Sequence, residues 1–267
     1  MDWSRIKTIF ILTFLVLDIY LMYEFFKLKD SSQYEYSTET SYEKRLKADE
    51  IEIVELPKNN QKDMYLSAKP KSFLEEEMKE LEAAKLKGQH ITISEGTVLR
   101  STLDKQFPLS EKLDLNELNA FVRNNVRNGD KYRFWNIEGK EITFYQQYGD
   151  KVFYKNISGK LTIYLNDDNN IVTYQQTFLE DIKKLSEEDK IIQPMKVIET
   201  LYENGTLKPK SKITKVELGY FTLVNTSTSQ VLTPAWRLVI NDKENIYVHA
   251  FEGQIIRLNN EDKNIVE

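Results

Sequence analysis

The chain has no cysteine and only two histidines in 267 residues. Disulfide frameworks, thiol nucleophiles, zinc ribbons and multi-histidine metal sites are thereby excluded. Its nine glycines are scattered, so neither a P-loop nor a G-x-G-x-x-G turn can be written. No G-x-S-x-G elbow occurs, and His90 and His249 each sit in a strand-like stretch, where they read as ordinary sheet residues. Positive charge is not in surplus: 37 Lys and Arg stand against 42 Asp and Glu, a net of −5, which argues against a nucleic-acid partner. With 40% hydrophobic and 30% charged residues, the composition is that of a folded chain of one to two domains. Two classes remain: a non-catalytic membrane-anchored protein, or an enzyme working with carboxylates and hydroxyls. Neither calls for a cofactor or a metal.

There is one long apolar run, residues 8–26, interrupted by Asp18 and Glu24. As a helix it spans roughly 28 Å, close to the ~30 Å of a bilayer core. Arg5 and Lys7 precede it and Lys27 and Lys29 follow it, so basic residues alone do not orient it. The short leading tail, residues 1–7, places the N-terminus in the cytoplasm and the bulk of the chain outside. Bulky residues fill the region after the apolar core, leaving no small-x-small cleavage site, so residues 8–26 read as an uncleaved signal anchor. The run is apolar all round, which separates it from an amphipathic core helix. A carboxylate at Asp18 costs ~3 kcal/mol in a spanning helix. Its apolar neighbours offset that cost in one reading; in the other, Asp18 faces a second transmembrane helix, with Phe14, Leu17 and Leu21 lining the contact.

Residues 27–50 are polar and rich in tyrosine and serine, and read as a juxtamembrane spacer. Beyond them, Ser72 with Glu75 caps an expected helix that Gly88 ends. Asp114 with Glu117 caps a second, carrying Leu115, Leu118, Phe121, Val122 and Val126 and closed by Gly129. Five strands follow at 131–136, 141–148, 151–156, 160–166 and 171–178, broken by Gly139, Gly149, Gly159 and the Asp167–Asn170 turn. That spacing predicts an antiparallel meander, with Leu161, Ile163 and Leu165 facing a helix and Thr162 and Tyr164 facing away. The last third replays the order: Pro194 opens a helix bearing Val197, Ile198, Leu201 and Tyr202, Gly205 closes it, and strands follow at 212–224, 235–241, 245–251 and 254–258. The reading is α+β: an N-terminal transmembrane helix, then two helix-plus-antiparallel-sheet modules, residues 51–185 and 186–267.

Two carboxylates could hydrolyse a wall glycan, but 42 acidic residues single out no pair. A cleft holding two carboxylates ~5–9 Å apart would support that enzyme. An open edge strand beside a groove would support a peptide or wall-ligand binder, and a flat tyrosine-bearing sheet a protein partner. Aromatic residues crowd the first meander (Tyr132, Phe134, Trp135, Phe144, Tyr145, Tyr148, Phe153, Tyr154, Tyr164, Tyr174). Core filling uses most of them; Tyr145, Tyr164 and Tyr174 are the candidates for an exposed partner patch.

The opening Met1-Asp2-Trp3-Ser4-Arg5-Ile6-Lys7-Thr8-Ile9-Phe10, running into Phe14-Leu15-Val16-Leu17-Asp18, closely resembles the start of YycI (WalI) proteins of low-GC Gram-positive bacteria. The segment Thr233-Pro234-Ala235-Trp236-Arg237 is similar to the final repeat of that family, whose modules resemble the PepSY-like modules of YycH (WalH) proteins. The resemblance implies a single-pass protein of the cell membrane with an extracytoplasmic domain and no catalytic residue. It would sit with YycH and the sensor histidine kinase YycG (WalK), setting the output of the YycFG (WalRK) system for cell-wall metabolism. Contacts among transmembrane helices are part of what it implies.

Overall fold

The computed structural model describes residues 3–31, 39–57, 61–74, 86–110, 113–226 and 228–257. The fold is α+β, with an N-terminal apolar helix and a large, mostly antiparallel sheet. Two compact units divide the chain: residues 1–52 with 207–212, and residues 53–206 with 213–267.

The first unit holds α1 (Trp3–Ser31) and α2 (Glu39–Ala48). α1 outruns the expected span by several residues at each end, and α2 occupies much of the stretch read as a spacer. The end of α2 is a left-handed cap: Glu50 takes φ 55°, and the Ile51 N–H donates to the Leu46 carbonyl at 2.9 Å. Leu46 and Ile51 are buried.

The second unit carries the sheet. Its early strands are β1 (Glu52–Ile53, whose first residue belongs to the other unit), β2 (Lys62–Asp63), β3 (Leu66–Pro70), β4 (Gln89–Ser94) and β5 (Val98–Phe107). The helix expected from Ser72 falls largely on residues 75–85, outside the described residues. α3 (Leu115–Asn125) follows, its N-cap Asp114 accepting from the Asn116 N–H at 2.9 Å. Glu117 does not complete the reciprocal box; it accepts from the Ser110 N–H and hydroxyl instead. Leu118, Phe121 and Val122 are buried against Ile142, Phe144, Leu161, Ile163, Leu165 and Tyr174. Each such side chain contributes ~1.5–3 kcal/mol by leaving water. The strands beneath are β6 (Tyr132–Glu138), β7 (Glu141–Tyr148), β8 (Lys151–Tyr154), β9 (Lys160–Leu165) and β10 (Ile171–Gln176).

β8 departs from the expected meander. It pairs with β7 over two residues only, then runs parallel to β13 (Lys212–Asn225), while β9 takes its place beside β7. The remaining elements are β11 (Leu179–Lys184), β12 (Asp189–Lys190), α4 (Pro194–Glu203), β14 (Gln230–Ile240), β15 (Glu244–His249) and β16 (Ile255–Ile256). β3 lies between β11 and β14. Strands on both sides of residue 185 therefore share one sheet. The helix-then-strands order nevertheless recurs: α4 has Pro in its first turn, buries Val197, Ile198 and Leu201, and is followed by β13 to β16.

Glycine plays two roles. Gly139, Gly149 and Gly205 take positive φ in turns, as their spacing predicts. Gly129 does not: Asn128 supplies the left-handed residue after α3, and Gly129 is there because its backbone presses on the helix.

Candidate functional site

α1 presents its apolar surface outward on every side. Its stretch Ile6–Glu24 is long and apolar enough to cross a membrane, and none of it is buried in the fold. An exposed helix of that composition fits a single-pass membrane anchor. Asp18 lies on a shallow groove lined by Phe10, Ile11, Phe14 and Leu15. Phe10 and Phe14 stack at 6.1 Å between centroids. At ~100° per residue, Phe14 and Leu21 fall within ~60° of Asp18, while Leu17 lies ~100° round. The face centred on Asp18 therefore gathers two of its three expected companions, with Leu17 at its margin.

The tyrosines do not assemble into an exposed patch. Tyr174 is fully buried, its hydroxyl within 2.9 Å of Gln89 Oε1 and 3.1 Å of the Asn125 carbonyl, and burial pushes its phenol up to about 12. Tyr145 is buried edge-on to Trp135 at 5.3 Å; burial and then the Glu138 charge push it up to about 12 as well. Tyr164 alone of the three is half-exposed. The expected patch fails on both faces of the sheet. Tyr174 lies opposite Ile163 in the core under α3. A second layer covers Tyr145 on the other face, where Trp135, Tyr145 and Tyr154 pack onto Ala235 and Tyr247.

Two polar centres escaped sequence reasoning. In the first, Asp63 is completely buried, paired with Lys151 Nζ at 2.8 Å, and accepts from the Tyr220 hydroxyl at 2.6 Å and the Met64 N–H at 2.9 Å. It joins the β2 segment, β8 and β13. In the second, Glu217 is held by Lys215 at 2.7 Å, Arg237 at 2.8 Å and Arg133 at 3.2 Å. Arg237 lies 4.1 Å over the Trp135 ring and donates to Asn245 Oδ1. Burial raises the Glu217 carboxyl, but the Lys215 hydrogen bond and the surrounding cations outweigh it, and the net direction is down. A depressed carboxylate contributes stability that is present above its unfolded value and lost as pH falls through its folded value. Glu217→Gln is therefore expected to flatten the acid limb of the unfolding curve, measured from pH 6 to pH 3.

One strand glycine was a readable signal for this region. A Cβ on Gly219 would stand 2.5 Å from the Tyr154 ring and 2.6 Å from the Val152 carbonyl, so β13 needs glycine where that ring crosses it.

A cleft of about 320 Å³ opens between β4, β5 and α3, lined by Gln89, Leu103, Phe107, Phe121 and Asn125, with Lys87, Asp104 and Lys105 also contributing. Among the described residues of its lining, Asp104 is the one carboxylate. Among the described residues no cluster of three His, Cys, Asp or Glu is placed to hold a metal ion.

The YycI protein family model matches residues 29–251, most of the chain, and the chain belongs to the YycI family. No curated protein matches it. Among solved structures it is similar to an uncharacterized protein from Eubacterium rectale, with TM-score 0.49 and 10% identity over 79% of this chain and 92% of that one. It is also similar to the Bacillus megaterium YpeB C-terminal domain, with TM-score 0.42 and 13% identity over 71% of this chain and 100% of that one.

Proposed function

We propose that this YycI-family member is a non-catalytic, membrane-anchored regulator of the sensor histidine kinase YycG (WalK), acting together with YycH (WalH) on cell-wall metabolism. Family membership supports a regulatory role in the YycFG two-component system. The observation that carries the reading is α1: an apolar helix exposed on all sides, with a carboxylate on one face. In hydrocarbon that carboxylate is costly alone and favourable beside a polar or basic group on another span. Asp18, Phe14 and Leu21 would form the contact, Leu17 would border it, and the sheet domain would stand outside the membrane. A partner alters kinase output only by favouring one kinase conformation over another.

The absence of native cysteine makes the test direct. Single cysteines placed in turn from Phe14 to Tyr23 are cross-linked in cells, and the captured protein is identified by mass spectrometry. Capture of the kinase or of YycH should peak at positions 14 and 21, which flank Asp18 and leave it in place, and fade at positions on the far side of the helix. Asp18→Leu in the Phe14→Cys background should cut the yield severalfold. Uniform yield around the helix, or an unchanged yield in the Asp18→Leu chain, would refute the contact.

A further inference from the structure

His249 ends β15 and has its ring buried inside the turn that follows. Its Nδ1 accepts from two backbone donors, the Phe251 N–H at 3.3 Å and the Glu252 N–H at 3.2 Å. Nδ1 therefore carries no proton, and Nε2–H donates to the Thr233 hydroxyl at 2.8 Å on β14. This arrangement requires the neutral ring. A proton on Nδ1 would set a donor against two donors.

The same turn joins three distant segments. The Ala250 N–H donates to the Pro234 carbonyl, and the Ile192 N–H donates to the Ala250 carbonyl at 2.7 Å, so the turn holds the residues leading into α4. Trp236 Nε1 donates to the Ile192 carbonyl. Tyr65, just ahead of β3, packs on Phe251 at 5.1 Å and on the His249 ring at 6.2 Å. Gly253 takes φ +73° to close the turn over Ile192.

We propose that the β15–β16 turn, residues 249–254, is an acid-released latch: protonation of His249 expels the Phe251 and Glu252 amides and frees the segments the turn holds. The ionisable groups facing the ring are few. Glu252 comes from the turn itself and Tyr65 from the segment before β3, while β14 contributes Thr233 and Pro234 and the α4 leader contributes Ile192, none of which titrates. Burial holds the imidazole below its ordinary range, and the Glu252 charge opposes that only in part. Because the folded value lies below the unfolded ~6.5, the neutral ring contributes stability that is full above that value and lost as pH falls toward the folded one. The latch is thus closed near neutrality and opens in acid. It is independent of the kinase reading, since it involves no partner.

The test is hydrogen exchange by mass spectrometry on the full chain in lipid nanodiscs, from pH 7.5 to 5.0, corrected for the intrinsic pH dependence of amide exchange. Peptides covering residues 249–256 should lose protection about tenfold or more across this range while β7 and β9 keep theirs. His249→Gln, neutral at every pH, should abolish the step. Glu252 is exposed, so Glu252→Gln leaves the core intact; it removes a charge that favours the imidazolium and should move the midpoint to lower pH. Protection retained at pH 5.0, an equal step in His249→Gln, an unmoved midpoint in Glu252→Gln, or uniform loss across the sheet would each overturn the proposal.

Discussion

Asp63→Ala is expected to lower the unfolding free energy by about 3–5 kcal/mol, the range for breaking one side of a buried ion pair. The substitution leaves Lys151 without its counter-ion and deprives the Tyr220 hydroxyl and the Met64 N–H of an acceptor. Lys151 keeps some access to water, which places the effect toward the lower end. In a unit of this size that corresponds to a thermal midpoint roughly 10 °C lower, read by circular dichroism of the full chain in detergent. Asp63→Asn retains an acceptor for Tyr220 and should fall between wild type and the alanine variant. If both variants melt with wild type, the cluster contributes nothing to stability.

Gly129→Ala should be comparably severe. A Cβ there would stand 1.8 Å from the Val122 carbonyl oxygen and 2.6 Å from its carbon, both backbone atoms of α3 that cannot rotate away. The last turn of the helix, or the 3-10 turn Gly129–Lys131 that leads into β6, must shift, and overpacking of this kind costs about 3 kcal/mol or more. Gly139→Ala is the matched control. Its Cβ meets nothing within 4 Å, and only its φ of +58° opposes a side chain, a cost of about 1 kcal/mol. Urea midpoints at equal slope should separate the two variants clearly; equal midpoints would mean that the close approach at Gly129 relaxes freely.

Local patterns were readable where a local rule governs. Asp114 caps α3, Pro194 opens α4, and Leu161, Ile163 and Leu165 pack under Leu118, Phe121 and Val122 as their alternation requires. The misreadings share one cause, partners far apart in the chain. β8 looks like a meander strand from its own residues, yet its parallel neighbour begins some sixty residues later, at Lys212. Asp63 finds Lys151 and Tyr220 at separations of 88 and 157 residues, and nothing in its neighbourhood marks it as buried. Tyr145 lies on a face that alternation marks without telling what covers it, and Tyr174 joins the helix face only through the register of β10 against β9, which sets it opposite Ile163. Asp18 differs: its oddness is visible in sequence, and the exposed helix leaves it as prominent as before.

β3 pairs with β14 through Leu66–Ala68 and with β11 through Leu66–Pro70. Synthesis runs from the N-terminus, so this strand is made long before either neighbour exists. One rim can be covered by β11 once residue 184 has been added, but the other waits, unsatisfied, until residue 232. A ribosome stalled near residue 185 would thus leave β3 with its β14 edge open and sticky, not half of a finished domain. Productive maturation of this chain is a race between the arrival of its final third and capture of that early strand by quality-control proteases or chaperones.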